Sequence, residues 1–180
     1  MIRTAAVVAA LLLLPTHLLA QLSADAEAQV AEAKTAAPPS ITENATFMDW
    51  EHNVLRDGSN GWTCMPSPPD FKDTPMCLDG PWLQWAQAWQ TKGELDIDRV
   101  GIGYMMVGDA GASNTDPFAT APTPENEWVV SGPHLMVITP DTDDLERLPT
   151  DPENGGPWVM WQGTPYAHIM IPIGDQPTRP

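Results

Sequence analysis

The sequence predicts an α+β domain dominated by antiparallel strands. We expect a sheet or sandwich of about six or seven strands with one tryptophan-faced helix and one short helix. Two observations carry this prediction. Twenty prolines and thirteen glycines divide the 180 residues into short apolar runs, which favours strands and loops over long helices. One segment alone combines helical spacing of apolar residues with start and stop signals at its two ends.

Seven apolar runs bounded by turn residues are the candidate strands: 45–50, 62–65, 99–107, 127–130, 134–139, 158–162 and 166–171. The run at 57–61 is rich in Gly and Asn, which tolerate positive φ, and predicts a turn before the second strand. The segment 163–165 predicts a hairpin between the last two strands. A short helix is expected at 141–148, with Asp141 or Thr142 as its N-cap.

The longer helix is predicted after Asp79 or Gly80, either of which can cap its start. Pro81 suits the first turn, and Gly93 suits the left-handed position beyond the end. Four apolar side chains would lie on one face: Trp82, Trp85, Ala86 and Trp89. This stripe predicts burial against the sheet, and an aromatic platform for a sugar is the alternative.

Residues 1–20 have the features of a secretory signal peptide. Arg3 provides the positive start, 5–14 is an unbroken apolar run, Pro15 interrupts it, and Ala20 is a small residue suited to cleavage. The run is too short to remain in a bilayer, because a transmembrane helix needs about twenty apolar residues. The sequence therefore predicts a periplasmic or secreted protein without membrane insertion after removal of the leader.

The segment 21–40 is predicted to be a flexible linker rich in Ala, Glu and Pro. Its only large aliphatic residues are Leu22 and Val30, so it offers little apolar area for burial. We therefore expect a single globular domain at 41–180.

The chain is strongly acidic, with 24 Asp and Glu residues against 8 Lys and Arg. Removal of the leader takes Arg3 with it and lowers the formal net charge by one, from −16 to −17. Such a surface repels phosphate backbones and anionic headgroups. Nucleic acid is thus excluded as a partner, and an unidentified small molecule or protein is expected instead.

Cys64 and Cys77 are the only cysteines. In an oxidising compartment such a pair predicts a disulfide, which would stabilise the fold by about 3 kcal/mol in the chain-entropy model. A metal site or a redox pair is the weaker alternative, because the spacing is not Cys-x-x-Cys.

Two candidate strands share a His-aliphatic-Met-aliphatic pattern, beginning at His134 and His168. Each histidine should share a strand face with the methionine two residues later, Met136 or Met170. If the strands are neighbours, two imidazoles and two thioethers could meet, a ligand set suited to Cu(I). Met160 in the adjoining strand could contribute a third thioether. Structural histidines, a ligand-binding site and a catalytic acid–base pair are the alternatives left open.

A second candidate site is the loop 108–117, which follows a predicted buried strand. Asp109, Asn114 and Asp116 offer oxygen atoms that could bind Ca²⁺ or a polar ligand. The register does not match an EF-hand, and Asx-turns would need the same residues. We therefore expect no cofactor, and bound copper or calcium is the alternative.

Five segments carry a resemblance to an uncharacterised group of exported bacterial proteins with no assigned activity: 61–64, 75–79, 113–117, 132–134 and 163–170. The resemblance covers about 45–174 and implies a bacterial periplasmic or secreted setting. It implies no catalytic role for any residue.

The leading hypothesis is a ligand-binding or interaction domain. An enzyme that uses His134 or His168 as acid or base is the rival, although the sequence contains no Gly-x-Ser-x-Gly, His-Glu-x-x-His or phosphate-binding Gly-rich motif. Copper handling through the paired His-x-Met strands is the third hypothesis.

Overall fold

A computed structural model describes residues 23–175 and 177–179, so the predicted signal peptide lies outside the described residues. The helices are α1 (Ala24–Ala33), α2 (Pro39–Thr42) and α3 (Gly80–Thr91), with 3₁₀ turns at Lys34–Ala36 and Thr142–Leu145. The strands are β1 (Thr46–Met48), β2 (Val54–Arg56), β3 (Thr63–Met65), β4 (Met76–Leu78), β5 (Gly101–Met105), β6 (Ala112–Ser113), β7 (Trp128–Val129), β8 (His134–Ile138), β9 (Trp158–Met160) and β10 (His168–Pro172).

Eight strands form one sheet in the order β2-β1-β3-β4-β5-β8-β10-β9, and β6 pairs with β7 in a small second sheet. The β1–β3 pair is parallel and the other strand pairs are antiparallel, so the large sheet is mixed. The predicted α+β, β-rich class is confirmed, but the strand count is too low. The missed strands β2, β4 and β6 have only two or three residues, too few to show an alternating pattern.

The disulfide between Cys64 and Cys77 is confirmed. The two residues occupy directly paired positions of β3 and β4, with Cα atoms 4.0 Å apart. This bond joins neighbouring strands in the middle of the large sheet.

The two faces of β4 are covered by different helices. Successive residues of a strand point to opposite faces. Cys77 therefore faces a cluster that includes Ala33 of α1, whereas Leu78 packs against Trp82 of α3. At β4 the large sheet is thus enclosed between an alanine-rich layer and a tryptophan-rich layer.

The predicted tryptophan-faced helix corresponds to α3. The Asp79 side chain accepts a hydrogen bond from the backbone N–H of Trp82 at 3.1 Å, as expected of an N-cap. Trp82 and Trp85 are buried. The left-handed residue after the helix is Lys92, with φ of 54°, rather than the predicted Gly93, because the helix already ends at Thr91.

The segment that the sequence predicted to be a linker, 21–40, contains α1 and the first two residues of α2 in its described part. Val30, Ala33 and Ala36 are buried against Phe47 and the two cysteines. Alanine at spacings of three lets a helix approach the sheet closely. Small side chains make this kind of contact without any large aliphatic residue, which is why composition alone did not indicate it.

The predicted short helix at 141–148 is a 3₁₀ turn, Thr142–Leu145. Asp141 caps it as expected, accepting a hydrogen bond from the backbone N–H of Asp143 at 2.9 Å. The strands on either side of 163–165 do form an antiparallel pair, β9 with β10. Among the described residues, none of the helices is long and apolar enough to cross a bilayer.

Candidate functional site

A partly enclosed cavity of about 220 Å³ lies between α3 and the sheet. Its lining comes from α3, from strands β4, β5, β8, β9 and β10, and from the segments around them: Trp50, Met76, Leu78, Trp82, Trp85, Ala86, Trp89, Gln90, Met105, Asp109, Ala112, His134, Met136, Met160, Trp161, His168 and Met170. We call this space the inner cavity. Both histidines and both methionines of the repeated sequence pattern line it.

Strand register explains why these side chains meet. β8 and β10 are antiparallel neighbours, and Met136 lies directly opposite Met170. Alternate residues of both strands, including His134 and His168, are buried on the face that α3 covers. The condition set by the sequence, that the two strands be neighbours, is therefore met.

A glycine keeps space for this arrangement. Gly103 of β5 lies directly opposite Met136 of β8. A Cβ atom there would lie 2.9 Å from the Met136 Cε atom and 3.1 Å from the Leu78 Cδ2 atom. Any larger residue would push into the floor of the inner cavity.

His134 is 1% exposed, and its Nδ1 atom lies 2.7 Å from the carbonyl oxygen of Gly132. A carbonyl only accepts, so Nδ1 carries the proton and the Nε2 lone pair is left available. Nε2 is buried without a hydrogen-bond partner among the described residues. Burial lowers the pKa of His134, opposed by the Asp109 charge and the Gly132 carbonyl.

His168 repeats this geometry. Its Nδ1 atom lies 3.0 Å from the carbonyl oxygen of Tyr166, again two residues earlier in the chain. Its ring packs edge-on against Trp82, Trp85 and Trp161, with centroid distances of 5.5, 5.5 and 5.0 Å. Burial lowers its pKa to about 4, and the imidazole is therefore neutral at neutral pH.

The indoles form one wall of the inner cavity. Trp85 stacks on Trp161 at 5.6 Å and on Trp89 at 6.3 Å, with interplanar angles of 6° and 11°. Trp89 and Trp161 donate their Nε1–H groups to backbone carbonyls, whereas Trp85 Nε1 is buried without a partner among the described residues. The stripe on α3 thus packs inside the protein, as the burial interpretation predicted, and does not form an exposed sugar platform.

The acidic loop is divided by the fold. Asp109 lines the inner cavity, and its Oδ1 atom accepts hydrogen bonds from the backbone N–H groups of Gly111 and Ser131, both at 2.9 Å. This holds the carboxylate near His134, where its negative charge partly offsets the lowering of the His134 pKa by burial. Of the three oxygen-bearing residues that the sequence singled out in this loop, only Asp109 lies at the cavity.

The other two residues of that loop lie elsewhere. The Asn114 side chain is buried, accepting from Trp158 Nε1 at 3.1 Å and donating to the Thr150 carbonyl at 2.9 Å. Asp116 is exposed and accepts from the backbone N–H of Phe118 at 2.8 Å. These contacts brace the loop. The described residues contain no group of three or more His, Cys, Asp or Glu side chains that could hold a metal ion.

An outer cavity of about 550 Å³ adjoins the inner one. The two share five lining residues: Trp50, Met76, Leu78, Ala86 and Gln90. The outer cavity adds three soft or titratable side chains, Met48, Met65 and His52. Gln90, exposed at the end of α3, marks the boundary with solvent.

Methionine and histidine are concentrated at these two cavities. The sequence contains nine methionines, of which Met1 lies outside the described residues. Seven of the remaining eight line the inner or outer cavity, as do all three histidines of the described chain. Sequence reasoning missed half of this set, namely Met48, Met65, Met76, Met105 and His52. One signal was present: Met65 and Met76 flank the two cysteines, so the predicted disulfide already placed them side by side.

Comparisons of the chain with family models, with curated proteins and with solved structures found no match.

Proposed function

We propose that this chain is an exported ligand-binding domain and that the inner cavity is its binding site. One observation carries the proposal. Two buried histidines point into one cavity, each with Nδ1 held by a backbone carbonyl. Fixing Nδ1 in this way orients the ring and leaves Nε2 for a guest. A cavity with few, well-placed polar groups in an apolar wall is the usual form of a ligand site.

Two polar atoms of the cavity without hydrogen-bond partners indicate a ligand that carries polar groups. His134 Nε2 can accept a hydrogen bond and Trp85 Nε1 can donate one, and both are buried without partners among the described residues. A buried polar atom without a hydrogen bond costs about 1–3 kcal/mol. A ligand that satisfied both atoms would recover part of that cost.

The lining also limits the chemistry of the ligand. Among the described residues it contains no Lys, Arg, Ser, Thr, Tyr or Cys side chain, and Asp109 is the only charged one. Anions would meet no positive charge, and a polyhydroxylated sugar would find few partners. Two ligand classes fit such a wall: a small neutral aromatic molecule and a soft cation.

Export is supported by the cysteines together with the predicted leader. Both cysteines of the chain form one disulfide, the state favoured by an oxidising compartment. We therefore propose a periplasmic or secreted location.

Catalysis by a histidine acid or base has weaker support. The Asp109 Oδ1 atom accepts from two backbone N–H groups, and His134 Nδ1 is held by a carbonyl. Because His134 Nε2 has no hydrogen-bond partner among the described residues, the imidazole and the Asp109 carboxylate are not joined as an acid–base dyad. The lining offers no hydroxyl or thiol nucleophile. Binding is consequently the function that this geometry favours over acid–base chemistry.

The test is a titration monitored by NMR of ¹³C-methyl methionine. We would add indole as the neutral aromatic probe and, separately and anaerobically, Cu(I) as the soft cation. At least one probe should shift the methyl signals of inner-cavity residues such as Met136 and Met170. The signal of Met106, which is partly exposed and outside both cavities, should remain in place.

A matched pair of substitutions on α3 separates cavity binding from surface adsorption. Ala86→Phe would fill space at the cavity wall, whereas Gln84→Phe adds the same ring at an exposed position of that helix. Only Ala86→Phe should weaken binding of the probe. Equal binding by both variants, or no shift of the inner methionines with either probe, would overturn the proposal.

A further inference from the structure

The strand register places two methionines beside each buried histidine. Met105 lies directly across from His134 on the neighbouring strand, and Met136 lies two residues along the same strand. All three side chains line the inner cavity. Directly opposed residues have Cβ atoms about 4.5–5.5 Å apart, and the flexible methionine side chain can span such distances.

His168 has an equivalent pair of neighbours. Met160 lies directly opposite on β9, and Met170 lies two residues along β10. The two histidine–methionine groups meet at the Met136–Met170 pair. One imidazole nitrogen and two thioether sulfurs are therefore grouped twice on one sheet face.

Thioether and imidazole ligands together favour Cu(I) over harder cations. We propose that the inner cavity binds Cu(I) and that His134 Nε2 and the thioethers of Met105 and Met136 are its ligands. This inference rests on the ligand-binding function proposed above and names the class of ligand. Three neutral ligands around a monovalent ion suit a mostly apolar cavity.

Two observations select the His134 group. Its Nε2 atom is buried with no partner among the described residues, whereas the His168 ring is packed against three indoles. The Asp109 carboxylate also lies near His134 and lines the same cavity. A cation in an apolar site is costly unless a negative charge compensates it, and Asp109 supplies that charge.

The donor set disfavours other metals. Zinc sites in proteins combine Cys, His and carboxylate ligands, and calcium requires six to eight oxygen atoms. The described residues bring together no three His, Cys, Asp or Glu side chains. Both cysteines are in the disulfide, so no thiolate competes for the ion.

The outer cavity supplies a path of the same chemistry. Met48, Met65 and His52 line it, and Met76 lines both cavities. Met65 and Met76 are directly paired across β3 and β4. A soft ion that passed from the outer to the inner cavity would therefore meet thioethers on its way to His134.

The test is anaerobic competition for Cu(I) against bicinchoninate, followed by absorbance. Two double variants are matched, because each removes two thioethers from the same cavity and replaces them with leucines of similar volume. M105L/M136L should weaken Cu(I) binding by more than about tenfold, since changes that merely touch a ligand's supporting contacts already cost about 10–100-fold. M160L/M170L alters the histidine–methionine group around His168 and should weaken the tightest site by a clearly smaller factor. Equal affinities in both variants and the parent, or a loss confined to M160L/M170L, would overturn the assignment.

X-ray absorption at the copper edge provides a second readout that does not depend on variant folding. The Cu(I)-loaded parent should show sulfur scatterers together with one imidazole nitrogen. Scattering from nitrogen and oxygen alone would overturn the site. If indole binds to the cavity and Cu(I) does not, this inference fails while the ligand-binding function stands. If neither probe binds, both fail.

Discussion

The two faces of the large sheet are packed in different ways. On one face lies an alanine cluster, made of Val30, Ala33, Ala36, Ala37, Ala45, Phe47, Cys64 and Cys77. On the other lies a methionine core, which includes Met105, Met136, Met160 and Met170 with the indoles of α3. The first is built from small side chains with few rotamers and a covalent bond, and the second from long, flexible ones.

This difference assigns separate tasks to the two faces. Small, rigid side chains fix the spacing between α1 and the sheet, and the disulfide holds β3 to β4 at the same place. Methionine side chains adapt their shape to irregular space. Both buried histidines lie on the sheet face that carries the methionine core. We infer that the alanine cluster holds the geometry of the sheet while the methionine core accommodates a ligand.

The largest effect is expected in the alanine cluster. Phe47 is fully buried there, and Phe47→Ala should destabilise the fold by about 3–5 kcal/mol, because the rigid neighbours cannot collapse into the space left. Urea unfolding monitored by tryptophan fluorescence measures this. Phe71→Ala is the control, since Phe71 is 48% exposed and should change stability by about 0.5 kcal/mol or less. Similar losses in the two variants would contradict the rigid-cluster interpretation.

The second prediction is a pH-dependent loss of folding stability that originates at His168 in the methionine core. Burial lowers the pKa of His168 to about 4 from an unfolded value of about 6.5. Between these values the unfolded chain binds more protons, so stability is full above the unfolded pKa and falls as pH falls toward 4. From pH 7 to pH 5, His168 should cost about 2 kcal/mol of folding stability. The alanine cluster contains no titratable side chain, because its cysteines are oxidised.

Comparison with His168→Phe isolates this effect from carboxylate titration. The free energy of unfolding would be measured in urea at several pH values for both proteins. The difference between them should change by about 2 kcal/mol over that range. His134, whose pKa burial also lowers, contributes with the same sign and remains in the variant. Parallel pH profiles for the two proteins would show that His168 does not titrate abnormally.

The two faces also differed in how far the sequence predicted them. The disulfide, the helix α3 and the strands that carry His134 and His168 followed from local signals: an isolated cysteine pair, caps with a stripe of indoles, and alternation. The burial of α1 did not follow, since alanine carries no strong pattern of its own. Patterns of large side chains predict which elements are buried, whereas contacts made possible by small side chains leave no such pattern in the sequence.

Within the candidate site, the sequence predicted the four residues of the repeated pattern and Met160 beside them, but not Met105. Met105 joins His134 only through the order of strands in the sheet, which is a non-local property. Asn114 and Asp116 were equally plausible from composition, and turn geometry used them for backbone and side-chain hydrogen bonds instead. Residue type predicted the chemistry, and topology decided which residues share the cavity.

The smallest effect is expected when methionines are replaced in the ligand-free protein. M105L/M136L and M160L/M170L keep apolar volume in the methionine core, and each single Met→Leu change usually costs less than about 1.5 kcal/mol. Both double variants should therefore unfold in urea close to the parent, with losses well below that of Phe47→Ala. A loss of several kcal/mol in either would mean that these side chains are fitted as rigidly as the alanine cluster. Methionine would then be present for packing, and the division of tasks between the two faces of the sheet would not hold.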